Sequence, residues 1–321
     1  MSRRHTFAAK GVIPATLAIF DQDFAIDGTA TNKHLRDVAD TRGVTAVTVN
    51  GHASEVHACS FDEQRQILAM SLEEVGDELP LVNGVYADGS QAAADLAKMA
   101  DEEGAGALLV FPPNSMSMGG QLRPDMAIAH FKMIADATDL PIILFQYPAG
   151  TGLGYPLETL LTILDEVPSI VAIKDWCNDP MLHERHIRTL AALPRPVNVL
   201  TTHSSWLMAS LTMKPAGLLS GAGSVIPDLQ VALFEAVQAG DLTLTQQIND
   251  RIYPMAQAFY RPPFLDMHNR MKECLVLLGR VEEAIVRPPL SKLGQAEIDE
   301  LAVALTQAGL LAQKENIRAI G

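Results

Sequence analysis

Between residue 11 and about residue 240, short apolar, β-favouring runs alternate with helical patterns, and no other feature restricts the fold of this chain as much. The runs are Gly11–Ile19, Val44–Val49, Leu81–Val85, Ala107–Phe111, Ile142–Phe145, Ile170–Ile173, Val197–Leu200 and Gly217–Leu219. Between them, apolar residues recur at helical spacing: Ile67, Leu68, Leu72 and Val75, then Ala93, Leu96, Ala97 and Ala100. Ile128, Phe131 and Ile134 repeat the pattern, as do Leu157, Leu160, Leu161 and Leu164. Gly43, Gly76 and Gly104 supply helix stops, and Pro80, Pro141, Pro168 and Pro196 stand ahead of strands. Continuous rather than alternating apolar runs mean strands buried on both faces, as in parallel sheets. Eight strand-then-helix units predict a closed (β/α)8 TIM barrel, an α/β fold, over residues 1–240. A doubly wound open sheet is the rival topology, but no Gly-x-Gly-x-x-Gly turn follows the first run. After Asp241 the strand signals stop. Leu242–Tyr260, Phe264–Gly279 and Gln295–Leu311 predict a three-helix C-terminal extension, residues 241–321, punctuated by Arg261-Pro262-Pro263 and Arg287-Pro288-Pro289.

With 321 residues, 48% of them hydrophobic, the chain can bury a large core. A net charge of −14 argues against nucleic acid or an anionic membrane as a main partner, because both attract basic patches. The longest uncharged stretch, Leu140–Leu157, is broken by Pro141, Pro148, Pro156 and interspersed glycines, so it cannot form a membrane helix. Arg3, Arg4 and Lys10 followed by apolar Val12–Phe20 resemble a secretion signal superficially. Pro14 interrupts that run, however, and Asp21-Gln22-Asp23 stands where a small-residue cleavage site belongs, so we assign a strand. Cys59, Cys177 and Cys274 are odd in number and far apart, which fits reduced thiols in a cytoplasmic protein.

Reactive groups of such a barrel stand at the C-terminal strand ends. Lys174 closes the Ile170–Ile173 run, where desolvation lowers the pKa of an amine and makes it a Schiff-base nucleophile; a lysine that snorkels into water is the plainer alternative. In Asn50-Gly51-His52-Ala53-Ser54-Glu55 the small residues leave backbone N–H groups for a carboxylate, or simply form an Asn-Gly turn with Ser54 capping the next helix. His52 is a proton shuttle with a pKa near neutrality, or a solvated loop residue. Phe145 and Tyr147 share one face of their strand. The hydroxyls of Thr201-Thr202-His203-Ser204-Ser205 are expected to cap a helix beginning near Trp206, and Ser220-Gly221-Ala222-Gly223-Ser224 offers backbone amides to a phosphate or carboxylate. His183 and His186 sit three apart with Glu184 between them, on a helix expected to lie outside the barrel and far from the strand ends. No strand ends in His-x-His, and we expect neither a catalytic metal nor an organic cofactor.

The order and spacing of several segments resemble the dihydrodipicolinate synthase and N-acetylneuraminate lyase family. They are Gly11-Val12-Ile13-Pro14-Ala15, the Asn50–Glu55 loop, Phe145-Gln146-Tyr147-Pro148 with Thr151-Gly152, Ala172-Ile173-Lys174-Asp175, Gly217-Leu218-Leu219-Ser220, and Gln307-Ala308-Gly309-Leu310-Leu311. The resemblance implies a homotetramer built from two dimers and an imine between Lys174 and a 2-oxo acid. It also implies substrate contacts at Gly51, Ala53, Ser54, Phe145, Leu219 and Ser220. The expected activity is a retro-aldolase or dehydratase. A non-catalytic binder of oxo or sugar acids is the alternative, and deamination or hydration of a cyclic imine acid is chemistry the same lysine could support.

Departures from the family matter too. The two hydroxyl positions of its loop are His52 and Ala53, its strand-5 tyrosine falls on Phe145, and its strand-4 tyrosine is absent from Pro112-Pro113-Asn114. The synthase's carboxylate-gripping arginine falls at Gly150, which argues against the lysine-pathway reaction. Tyr147 or His52 is then expected to take over proton transfer. Phe145, Pro113, Met116, Met118, Trp176 and Trp206 are expected to make the mouth apolar, suited to a bulkier or less polar substrate.

Overall fold

A computed structural model describes residues 6–312; Arg3 and Arg4 of the signal-like start lie outside the described residues. Eight parallel strands form the inner layer: β1 (Gly11–Pro14), β2 (Val47–Val49), β3 (Leu81–Val85), β4 (Ala107–Val110), β5 (Ile142–Gln146), β6 (Ile170–Asp175), β7 (Asn198–Thr201) and β8 (Gly217–Ser220). From β2 to β8 each strand pairs with its sequence neighbour, and β1 pairs with β8 in the register Gly11↔Gly217 to Pro14↔Ser220. The bridges Val12↔Val44 and Ala15↔Thr48 bring the start of β2 to β1, and the barrel closes.

Helices fill the gaps: α1 (Gly28–Ala39), α2 (Phe61–Val75), α3 (Ser90–Glu103), α4 (Pro124–Ala135), α5 (Leu157–Glu166), α6 (Pro180–Ala191), α7 (Leu207–Thr212) and α8 (Pro227–Ala239). The apolar stripes seen in the sequence face the sheet: Ile67, Leu68 and Val75 of α2 are buried, and so are Leu160 and Leu164 of α5. A capping box starts α2, with Ser60 accepting from Glu63 N and Glu63 accepting from Ser60 N. The extension is α9 (Leu242–Phe259), α10 (Met267–Leu277) and α11 (Gln295–Gln307). No described helix is long and apolar enough to cross a membrane.

Several boundaries differ from the sequence expectation. The regular ladder of the first run ends at Pro14, although Ala15 N still donates to Ser220 O and Thr16 N to Thr48 O, each at 3.0 Å; beyond them α1 side chains take amides, Leu17 N donating to His34 Nε2 at 3.2 Å and Ile19 N to Thr31 Oγ1 at 3.0 Å. Strand β6 continues to Asp175, so Lys174 lies inside the strand and is held by pairing on both sides. The predicted helix at Phe264–Gly279 splits into a short 3₁₀ turn, Phe264–Asp266, and α10.

The extension is bolted to the barrel by buried charge. Lys272 of α10 pairs with Glu55 in the loop after β2 and donates to Ile285 O at 2.7 Å, with both charged side chains at most 1% exposed. Arg287 pairs with Glu63 of α2 and donates to Phe24 O and Ala58 O, and its backbone N–H reaches Glu55 Oε2 at 2.9 Å.

Candidate active site

Lysine sits on β6 opposite phenylalanine on β5: the register pairs Phe145 with Lys174, and the amine lies 4.1 Å from the centre of the Phe145 ring. Only 6% of Lys174 is exposed. Burial pushes its pKa down from 10.5 to about 7, which leaves much of the amine neutral near physiological pH. Lys174 opens onto a cavity of about 60 Å³ at the C-terminal end of the barrel, which Gly51, His52, Ala53 and Phe145 also line.

The β2 loop is shaped for backbone donation. Asn50 takes a left-handed conformation (φ 54°), anchored by Nδ2 donating to Gln64 O and Asn83 Oδ1, each at 2.8 Å. The following turn, His52–Ser54, leaves the N–H groups of His52 and Ala53 without an acceptor among the described residues. Ser54 does not cap the next helix. Its hydroxyl donates to Thr16 O at 2.9 Å and ties the loop to the end of β1, while Ser60 caps α2.

Tyr147 Oη lies 3.0 Å from His52 Nε2, so the two proton-transfer candidates form one unit; His52 lines the cavity with Lys174, while Tyr147 is buried against Phe145 and does not line it. His52 does not titrate near neutrality as the sequence suggested. Burial, reinforced by the charge of Lys174, pushes its pKa down to about 3, and the imidazole stays neutral. Burial raises the Tyr147 phenol well above its usual value, so it keeps its proton.

Ser220 and Leu219 are fully buried behind the cavity wall rather than on it. Ser220 Oγ lies 2.7 Å from Ser204 Oγ and accepts from Gln230 Nε2 at 3.0 Å. The predicted caps at the end of β7 therefore do not form. Thr201 Oγ1 instead meets His203 Nδ1 at 3.1 Å, and no side chain caps α7. Both serine hydroxyls face the phenol of Tyr260, a cavity-lining residue at the end of α9 that sequence reasoning missed. No motif marks Tyr260; only the fold of the extension over the barrel brings it there.

His183 and His186 correct a second expectation. Both are fully buried, and their Nδ1 atoms each lie 2.8 Å from Asp175 Oδ2 at the end of β6. Burial opposes ionisation of Asp175, yet the hydrogen bonds from the two histidines hold its carboxyl far below the usual range. Asp175, Cys177 and His203 bring metal-ligand atoms within 4.8 Å of one another. Two of these groups already accept hydrogen bonds: Asp175 Oδ1 from Cys177 N at 2.9 Å, and His203 Nε2 from Asn178 N at 3.1 Å. These bonds tie the segment after β6 to the segment after β7.

The apolar mouth is smaller than expected. Trp176 and Phe264 stack at 5.1 Å on its rim, but Pro113, Met116 and Met118 line a separate depression, and Trp206 packs on His203 at 4.2 Å.

The model of the dihydrodipicolinate synthetase family matches residues 8–308. An uncharacterized DapA-like lyase of Halobacterium salinarum is 30% identical over 302 residues, 94% of each chain. The 4-hydroxy-tetrahydrodipicolinate synthase of Methanococcoides burtonii is 27% identical over 304 residues, covering 94% of this chain and 99% of that one. The crystal structure of YagE, an Escherichia coli K12 prophage protein of the dihydrodipicolinic acid synthase family in complex with pyruvate, superposes with a TM-score of 0.86. That match covers 95% of this chain and 100% of YagE at 24% identity, and it speaks for the fold. Because the family model runs unbroken through barrel and extension alike, this chain belongs to the dihydrodipicolinate synthetase family and is an enzyme of the lyase type.

Proposed function

We propose that this protein cleaves or dehydrates a 2-oxo acid through an imine on Lys174, without metal or organic cofactor. One observation carries the reading: a buried amine with its pKa near 7 lines the same cavity as His52 and Ala53, whose backbone N–H groups have no acceptor among the described residues. The substrate carboxylate accepts from the N–H groups of His52 and Ala53. The keto carbon then stands over Lys174, whose neutral amine adds to C2; water leaves and a protonated imine forms. In the aldol direction a base takes the proton of a hydroxyl on C4, the C3–C4 bond breaks, and its electron pair moves into the imine to give an enamine. In dehydration the C3 proton is lost and the hydroxyl leaves. Tyr147 and His52, both neutral and sharing a proton, move protons to and from the reacting oxygen.

The first experiment is borohydride trapping with pyruvate followed by peptide mass spectrometry. The expected result is a reduced pyruvyl adduct on Lys174; absence of an adduct with pyruvate and longer 2-oxo acids would move the assignment to a binding protein. Initial trapping rates should fall about tenfold per pH unit below about 7 and level off above it, because only the neutral amine adds. An inflection near the ordinary lysine value would contradict the buried-amine chemistry. Tyr147→Phe should lower turnover about a hundredfold or more while leaving the pyruvate adduct intact, since its hydroxyl moves protons rather than binds the lysine. An unchanged turnover would remove Tyr147 from the mechanism.

Assembly as a homotetramer belongs to the same proposal. Met118 and Leu122, 92% and 79% exposed in the segment after β4, give apolar surface for a second copy, and sedimentation velocity tests it. The free cysteines Cys59, Cys177 and Cys274 support a reducing compartment, the cytoplasm.

A further inference from the structure

Helix α10 enters the cavity with a histidine in its first turn. His268 is only 8% exposed and lines the cavity, yet its ring makes no hydrogen bond with any described residue. Buried polar groups are ordinarily paired, so an unpaired ring aimed into a cavity points to a ligand.

Its position says which part of the ligand. A methyl group placed on Gly221, in the turn after β8, would lie 3.2 Å from His268 Nε2 and 3.9 Å from Ala53 Cβ. The imidazole therefore stands where the turn after β8 meets the loop after β2. Ala53 offers an N–H there but no side-chain donor. One helical turn further along α10, Lys272 is locked to Glu55 of the same loop, which fixes the helix, and His268 with it, over the loop. The groups that act on the ring are all basic: His52, Lys174, Lys272 and His57. Burial and these neighbours hold His268 neutral, able to donate one N–H. His52 is neutral and Lys272 is paired with Glu55, so it is the protonated form of Lys174 that favours an anion beside the ring over a further cation.

We infer that His268 binds the substrate carboxylate, donating from Nε2 beside the backbone N–H groups of His52 and Ala53, so that the C-terminal extension completes the carboxylate subsite. The inference rests on the 2-oxo acid reading above. It makes α10 a determinant of specificity for acids over neutral ketones.

The test compares pyruvate with hydroxyacetone, a small ketone that lacks the carboxylate, in borohydride trapping on wild type, His268→Phe and His268→Gln. The half-saturating pyruvate concentration should rise about tenfold or more in His268→Phe and recover in part in His268→Gln, whose amide can donate. The adduct at saturating pyruvate and the response to hydroxyacetone should stay as in wild type. An unchanged half-saturation for pyruvate, or an equal rise for both ketones, overturns the inference. Should wild type form no adduct at any concentration, the imine reading fails separately, and calorimetric binding of pyruvate to wild type and His268→Phe still decides. Binding weakened by the same factor supports the carboxylate contact; equal or absent binding ends it. If His268→Phe does not fold, His268→Ala gives the same comparison.

Discussion

Lys174→Met should abolish pyruvate trapping, lower turnover by a factor on the order of 10⁴ or more, and at the same time stabilise the fold. The two effects share one cause. An ammonium in the unfolded chain is solvated, whereas in the barrel burial pushes the pKa of Lys174 from 10.5 to about 7. Below pH 7 both states hold the proton, and the folded protein carries the full desolvation cost. Between about 7 and 10.5 the unfolded chain binds a proton that the folded chain has released, so stability from this group rises with pH. At roughly 1.4 kcal/mol for each tenfold change in proton affinity, the cost below pH 7 is up to about 5 kcal/mol. Denaturant unfolding should therefore show Lys174→Met more stable than wild type at pH 6, with the gap narrowing by pH 9. A variant less stable at pH 6, or one that still traps pyruvate, would falsify the assignment of Lys174 as the buried nucleophile. Reactivity here is bought with stability.

Lys272→Met should destabilise the protein by about 3–5 kcal/mol. It leaves Glu55 fully buried and without its cation, although the Arg287 N–H at 2.9 Å remains. Replacing both partners, Lys272→Met with Glu55→Met, should recover most of the loss, because desolvating an ion pair offsets much of its attraction. Urea unfolding of the three variants checks this, and a single-variant loss under about 1 kcal/mol would show that the pair does not hold the extension in place. Since Glu55 ends the loop that lines the cavity with Lys174, the single variant should also raise the half-saturating pyruvate concentration. The pair thus links the extension to the chemistry.

The barrel was legible because its signals are local. Continuous apolar runs and helical stripes such as Ile67, Leu68 and Val75 state which faces are buried, and eight repeats leave few topologies. Strand ends were less so: Lys174 looked terminal because charge normally ends an apolar run, and only pairing to β5 and β7 shows the strand continuing through it. His183 and His186 were placed far from the site because periodicity tells which helix face is buried but not what that face meets. In the structure it meets Asp175.

The sequence alone determined the βα alternation, the lysine at the sixth strand, and the small-residue loop after the second, since each rests on residue type and spacing within a few neighbours. Tertiary structure decided the rest: the neutral state of His52, its contact with Tyr147, and the arrival of Tyr260 and His268 from an extension far along the chain. The physical reason is that pKa values and hydrogen-bond partners are set by everything packed around a group, and most of that packing is distant in sequence.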